Sequence, residues 1–189
     1  IRLPLFQRPQ QPLVLGEAEK GVLEMNPLKL IKGKRVLIVD DEKDVLDTLV
    51  DLLSMCKLDT ASTFEQAKDL LESNDYDIAI LDIMGVNGFE LLKVSTERKI
   101  PALMLTAHGL SEENLNKSAQ EGAAYYAPKE EISKIALFVA DVIEALEKKK
   151  NPWVRMMERL GWFYDKRFGG TNWREKELKY VMEKWGQFM

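Results

Sequence analysis

Apolar residues in this chain fall into short unbroken runs, separated by stretches in which they recur every three or four positions. The first run, Arg35–Val39 (RVLIV), is nearly all apolar, as befits a strand covered on both faces of a parallel sheet. Residues 42–56 follow, with Val45, Leu46, Leu49, Val50 and Leu53 at helical spacing. A second unit pairs a weak strand over 59–62 with a helix over 64–71, and a third pairs strand 78–81 with helix 89–94. A fourth strand over 102–105 precedes a helix around Glu112–Gln120. The fifth lies near Tyr125 and Tyr126, with a closing helix over 132–146. Five strand-helix alternations on short loops predict an α/β fold: a doubly wound five-stranded parallel sheet with helices on both faces. In such folds the ligand site lies beyond the carboxyl ends of the strands.

The flanks read differently. Residues 1–33 are expected to be an arm, because Pro4, Pro9, Pro12 and Pro27 interrupt them and no apolar period is sustained. Met25 stands shortly before the first ordered run, a position that suits a natural start. The sheet domain occupies 34–148, and residues 149–189 form a helical extension. Asn151-Pro152 is a helix-start signal, followed by Trp153, Met156, Met157, Leu160 and Tyr164 on one stripe. Gly169-Gly170 breaks the chain, after which Asn172 and Glu175 have capping-box spacing before the stripe Leu178, Val181, Met182 and Trp185. The extension thus predicts two amphipathic helices, and it holds all four tryptophans.

Composition narrows the class. Hydrophobic residues at 46% and charged ones at 31% describe a globular domain rather than a disordered one. No apolar run approaches the roughly 20 residues that span a bilayer. The run Leu13-Val14-Leu15 is too short for a secretory signal, so the expected location is cytoplasmic. One cysteine, Cys56, and one histidine, His108, exclude a disulfide framework and the familiar zinc sites. From Lys148 onward eleven Lys and Arg face five Asp and Glu, so the tail carries +6 and the remainder −10 within the net −4. An acidic body makes general nucleic-acid binding unexpected, and about forty residues of tail hold no helix-turn-helix pattern.

The chemistry gathers at the strand ends. The first strand runs into Asp40-Asp41 and then Glu42, the third ends in Asp82, the fourth in Thr106, and Lys129 follows the fifth. On one parallel sheet these groups converge on one edge. Carboxylates brought together repel, and a hard divalent ion such as Mg²⁺ relieves the repulsion. With a hydroxyl and an ammonium opposite, the set makes a clamp for a phosphoryl group. Asp82, at the end of the central strand, is the candidate nucleophile for an acyl phosphate.

The segments VLIVDDE, LDIM with GFELL, LMLTA and GAAYYAPK resemble the receiver domain of two-component response regulators, over about 34–148. The resemblance implies a flavodoxin-like sheet of strand order 2-1-3-4-5, the order of the chemotaxis receiver. It further implies Mg²⁺ held by Asp40, Asp41, Asp82 and the backbone carbonyl of Met84. Asp82 would be the phosphoryl acceptor, Thr106 and Lys129 would bind phosphoryl oxygens, and Tyr126 would be the switch aromatic that follows Thr106. A sensor histidine kinase or a phosphotransfer protein is the implied partner. Such a receiver catalyses its own modification and later hydrolysis, and is not an enzyme with a separate substrate. The family locates its switch face on the fourth and fifth strands and the helices after them.

Two departures from the family pattern stand out. The segment 83–88 is two residues shorter than usual between acceptor and glycine, and Glu130 replaces the proline that ordinarily follows the lysine. They support an alternative, a phosphorylation-independent interaction module on the same fold. A flavin or nucleotide binder is the poorer reading, since Asp40-Asp41-Glu42 would repel phosphate where such proteins carry a glycine-rich loop. His108, two residues past Thr106, is expected near the site entrance, where it would affect dephosphorylation. The tryptophan-rich tail is expected to pack on the receiver, to pair with a second copy, or to dock an external partner.

Overall fold

Each buried run forms the strand its composition demands. The computed structural model describes residues 26–107 and 111–169. Strands β1 (Arg35–Val39), β2 (Lys57–Ala61), β3 (Ile78–Asp82), β4 (Ala102–Thr106) and β5 (Tyr125–Pro128) make one parallel sheet of order β2-β1-β3-β4-β5. Every residue of β3 and β4 is buried, since both strands are internal and covered on two faces. β2, the weak strand of the sequence, lies at one edge and is half-exposed. Pro128, which has no N–H to give, ends the other edge strand opposite Thr106, a position where the missing donor costs no ladder bond.

Helices α2 (Lys43–Leu52), α3 (Phe64–Ser73), α4 (Gly88–Glu97), α5 (Glu112–Gln120) and α6 (Ile135–Glu147) connect or follow these strands. Side-chain caps fix several starts: Thr63 Oγ1 accepts the N–H of Gln66, and Ser111 Oγ that of Asn114. The closing helix begins later than its apolar pattern suggested, because Lys129–Lys134 forms a 3₁₀ turn first.

The arm expected over 1–33 is structured in its described part. Pro27–Ile31 forms a short helix, α1, whose first N–H groups are met by Asn26 Oδ1 at 3.0 Å from Leu28 N. Pro27 acts here as a first-turn residue rather than a breaker. Ile31 is fully buried, α1 packs on α6, and Lys34 pairs with Glu147 at 3.3 Å. Five residues are too few to show a helical period, which is why the sequence pattern missed it.

The first predicted tail helix is α7, Pro152–Phe168, started by Asn151 Oδ1 accepting the Trp153 N–H. Its stripe of Trp153, Met156, Met157, Leu160 and Tyr164 is buried against α6 and β5. Burying side chains of this size contributes about 1.5–3 kcal/mol each. Polar groups on the same stripe are matched as well. Trp153 Nε1 donates to Ala123 O at 2.7 Å, and the Tyr164 hydroxyl donates to Tyr126 O at 2.7 Å. Arg159 grips the buried Asp141 of α6 with two bonds of 2.5 and 2.8 Å, and the Tyr125 hydroxyl donates to the same carboxylate. α7 is therefore docked on the sheet domain. The second predicted tail helix and His108 lie outside the described residues. No helix among the described residues is long and apolar enough to cross a membrane.

Candidate functional site

β1, β3 and β5 deliver their terminal residues to one edge of the sheet. Asp40, directly after β1, is fully buried, and its Oδ1 accepts the Glu42 N–H at 3.0 Å. Asp82, the last residue of β3, is also buried. Its Oδ2 accepts the N–H groups of Met84 at 3.0 Å and Gly85 at 2.8 Å, which fixes the plane of the carboxylate. Its Oδ1 faces Lys129 Nζ at 3.0 Å. The same ammonium stands 2.8 Å from Asp40 Oδ2 and 2.9 Å from Glu42 Oε1. Lys129 thus reaches the site with a trans bond to Glu130, although the usual proline is absent.

The electrostatics follow from burial and spacing. Burial pushes the Asp40 carboxyl above its ordinary range, against the pull of Lys129 and the Glu42 N–H; the nearby Asp82 charge adds to the rise. Burial alone would lower the Lys129 ammonium, but its three carboxylate partners outweigh that and hold it above the ordinary lysine range. Asp40 Oδ2, fully buried, is met by the Lys129 ammonium at 2.8 Å as an ion pair.

A shallow cavity of about 190 Å³ opens over these groups, lined by Asp41, Glu42, Asp82, Met84, Gly85, Ala107 and Lys129. Thr106 is fully buried at the end of β4, one position past the residue paired with Asp82. The short loop after Asp82 is closed by Asn87 in the left-handed region (φ 54°), which asparagine tolerates, and by Gly88 N donating to Ile83 O at 3.2 Å. Gly85 packs so close to Asp41 that an added Cβ would lie 1.8 Å from its Oδ1. This contact presents the Asp41 carboxylate beside the Asp82 loop.

The structure thus brings together Asp40, Asp41, Asp82, Met84 and Lys129, with Thr106 at the neighbouring strand end. Among the described residues no three acidic, imidazole or thiol groups converge as a ready metal cluster, and the Lys129 ammonium stands between Asp40 and Asp82. The donors nonetheless fit Mg²⁺ in kind, since carboxylate and carbonyl oxygens are what a hard cation takes, with water and phosphate oxygens filling its remaining positions. Sequence reasoning counted Glu42 among the acidic groups at the strand end without giving it a ligand role, and gave Gly85 none. Glu42 is adjacent to the aspartate pair, which was the available signal; the N–H of Gly85 carries no side-chain signature.

Tyr126, on β5, is fully buried, and burial drives its hydroxyl well above the ordinary tyrosine range. Its ring lies 6.1 Å from that of Tyr164 on α7.

Comparisons with known proteins agree with this geometry. The model of the response regulator receiver domain matches residues 36–139, more than half of the chain. The chain is 34% identical over 120 residues to the two-component response regulator ARR18 of Arabidopsis thaliana, covering 60% of this chain and 18% of that protein. It is 36% identical over 92 residues to the transcriptional regulatory protein TdiR of Thauera aromatica, covering 45% of this chain and 40% of the relative. The chain thus spans less than half the length of these relatives. Among solved structures, the receiver domain of Francisella response regulator 1452 matches 60% of this chain and 99% of its own, at 24% identity and TM-score 0.55. A CheY-like receiver protein from Methanospirillum hungatei JF-1 matches 59% and 98%, at 25% identity and TM-score 0.51.

Proposed function

Because the chain belongs to the response regulator receiver domain family of two-component systems, we propose that it accepts a phosphoryl group on Asp82 and signals through the change this imposes. The observation that carries the reading is the setting of Asp82: one carboxylate oxygen is held by two backbone N–H groups, the other faces Lys129 at 3.0 Å. A nucleophile so held needs little reorientation before attack.

An Asp82 oxygen attacks the phosphorus of a kinase phosphohistidine, of a phosphotransfer protein, or of a small phosphodonor. The new P–O bond forms as the P–N or donor P–O bond breaks, and the leaving group departs with the electron pair. Lys129 supplies positive charge to the phosphoryl oxygens, and the Thr106 hydroxyl donates to them once the new group is in place. Mg²⁺, held by Asp40, Asp41, Asp82 and the Met84 backbone carbonyl, would supply further charge neutralisation. Water later attacks the acyl phosphate and restores the carboxylate. The added charge and acceptor oxygens draw Thr106 and Lys129 toward them, and Tyr126 follows.

Incubation with acetyl phosphate and Mg²⁺, followed by intact mass spectrometry, tests the reading. One phosphoryl adduct is expected, dependent on Mg²⁺ and absent from Asp82→Asn. No adduct, with Mg²⁺ binding also undetectable, would favour the phosphorylation-independent module.

A milder variant tests the metal assignment. In Gly85→Ala the three atoms nearest the new Cβ all belong to the exposed Asp41 side chain, which can swing away. Stability is expected to change by less than about 0.5 kcal/mol. Mg²⁺ affinity is expected to fall about 10–100-fold, as it does when a ligand's support is removed. Calorimetric titration with Mg²⁺ reads the second effect, and unaltered affinity would remove Asp41 from the ligand set.

A further inference from the structure

Two cations contend for the same atoms at the strand ends. Asp40 Oδ1 is engaged by the Glu42 N–H, and Asp82 Oδ2 by those of Met84 and Gly85. The other oxygen of each carboxylate, Asp40 Oδ2 and Asp82 Oδ1, faces the Lys129 ammonium at 2.8 and 3.0 Å. These two oxygens are the ones left for Mg²⁺. An ammonium has three N–H groups, and the third carboxylate that Lys129 meets is Glu42, at 2.9 Å. Glu42 starts α2, yet its side chain caps no N–H of that helix and reaches instead to a residue 87 positions along the chain. It lines the cavity at its solvent side, with 61% of its side chain exposed against 11% for Lys129.

We propose that Glu42 is a positioning residue for Lys129: it keeps the ammonium at the cavity rim when Mg²⁺ takes the oxygens of Asp40 and Asp82, and so eases entry of the metal. The inference rests on the Mg²⁺ site of the proposed function. A dication on those oxygens would lie beside the ammonium and repel it. Without Glu42, Lys129 would then give up both buried partners and keep no anion, a costly state for a cation so little exposed. With Glu42 in place it retains one carboxylate throughout. The lysine stem is long and flexible, so a swing toward the rim needs no movement of the strand. Glu42 suits the task because it is neither the acceptor nor one of the groups expected on the metal, and because its exposed carboxylate stays hydrated in both arrangements.

Calorimetric titration of the full chain with Mg²⁺, without any phosphodonor, tests the role in a double-mutant cycle. Glu42→Gln is expected to bind Mg²⁺ about tenfold more weakly than the parent, the loss usual when a group outside the ligand set is removed. In Lys129→Met, which keeps the aliphatic stem, the same change is expected to alter affinity less than about twofold, because no ammonium remains to be held. An equal or larger loss in the Lys129→Met chain would show that Glu42 attracts the metal by its own charge, and overturns the proposal. Glu42→Asp separates reach from charge without touching Lys129. One methylene short, it is expected to bind Mg²⁺ as weakly as Glu42→Gln, and an affinity equal to the parent's overturns the proposal. Unchanged affinity in Glu42→Gln also overturns it, and leaves the Mg²⁺ site and the acceptor reading intact. A parent chain that binds no Mg²⁺ removes the metal assignment and this inference together.

Discussion

Lys129→Ala is expected to slow phosphorylation of Asp82 by acetyl phosphate about 10²–10³-fold, the loss typical of removing one preorganised group that meets developing charge. The ammonium is the group on which Asp40, Glu42 and Asp82 converge, at 2.8, 2.9 and 3.0 Å. Removing it withdraws charge from the incoming phosphoryl oxygens. It also leaves the two buried carboxylates of Asp40 and Asp82 facing each other without a cation. Mg²⁺ then becomes the main available counter-charge, and the variant's melting temperature is expected to rise more on adding Mg²⁺ than that of the parent chain. The rate is read from intact mass against time, and the second effect from paired thermal melts. A rate within twofold of the parent would show that the ammonium is a structural tie and not a ligand of the phosphoryl group.

Gly88→Ala is expected to cost about 3 kcal/mol of stability, the upper end of the usual penalty for overpacking. A Cβ at this first residue of α4 would lie 2.0 Å from the carbonyl oxygen of Asp82 and 2.9 Å from its carbonyl carbon and from Ile83 Cα. All three are backbone atoms of the strand end that carries the acceptor, and none can turn aside as a side chain would. Either α4 backs away or the end of β3 shifts, and the two N–H bonds that hold Asp82 Oδ2 are disturbed with it. Urea unfolding measures the penalty, and a midpoint unchanged from the parent would mean that the loop has slack. The contrast with Gly85→Ala is informative, because there the obstacle is a carboxylate at the surface.

The central strands were legible because β1, β3 and β4 each carry four consecutive apolar residues, a pattern that burial on both faces requires. Strand-end chemistry was legible for the same reason: once the strands are placed, the polar residues that end them must share an edge. Three features were not. α1 is a single short helix whose burial depends on Ile31 alone, too little to leave a period. The reach of Lys129 depends on backbone direction after Pro128, and neither the altered neighbours nor the spacing encodes it. The apolar stripe of α7 announced that the helix is buried but not against what. Its partners, Ala123 O, Tyr126 O and Asp141, are two backbone atoms and one carboxylate that reads as an ordinary surface residue of a closing helix.

Borohydride trapping tests the central claim most directly. Reduction converts an aspartyl phosphate to homoserine and leaves a free carboxylate untouched, so peptide mapping reports the modified residue without relying on a variant. After treatment with acetyl phosphate and Mg²⁺, residue 82 is expected to appear as homoserine, with every other Asp and Glu unchanged. Homoserine at another position, or none while Mg²⁺ binds the chain, would contradict the assignment of Asp82 as the phosphoryl acceptor.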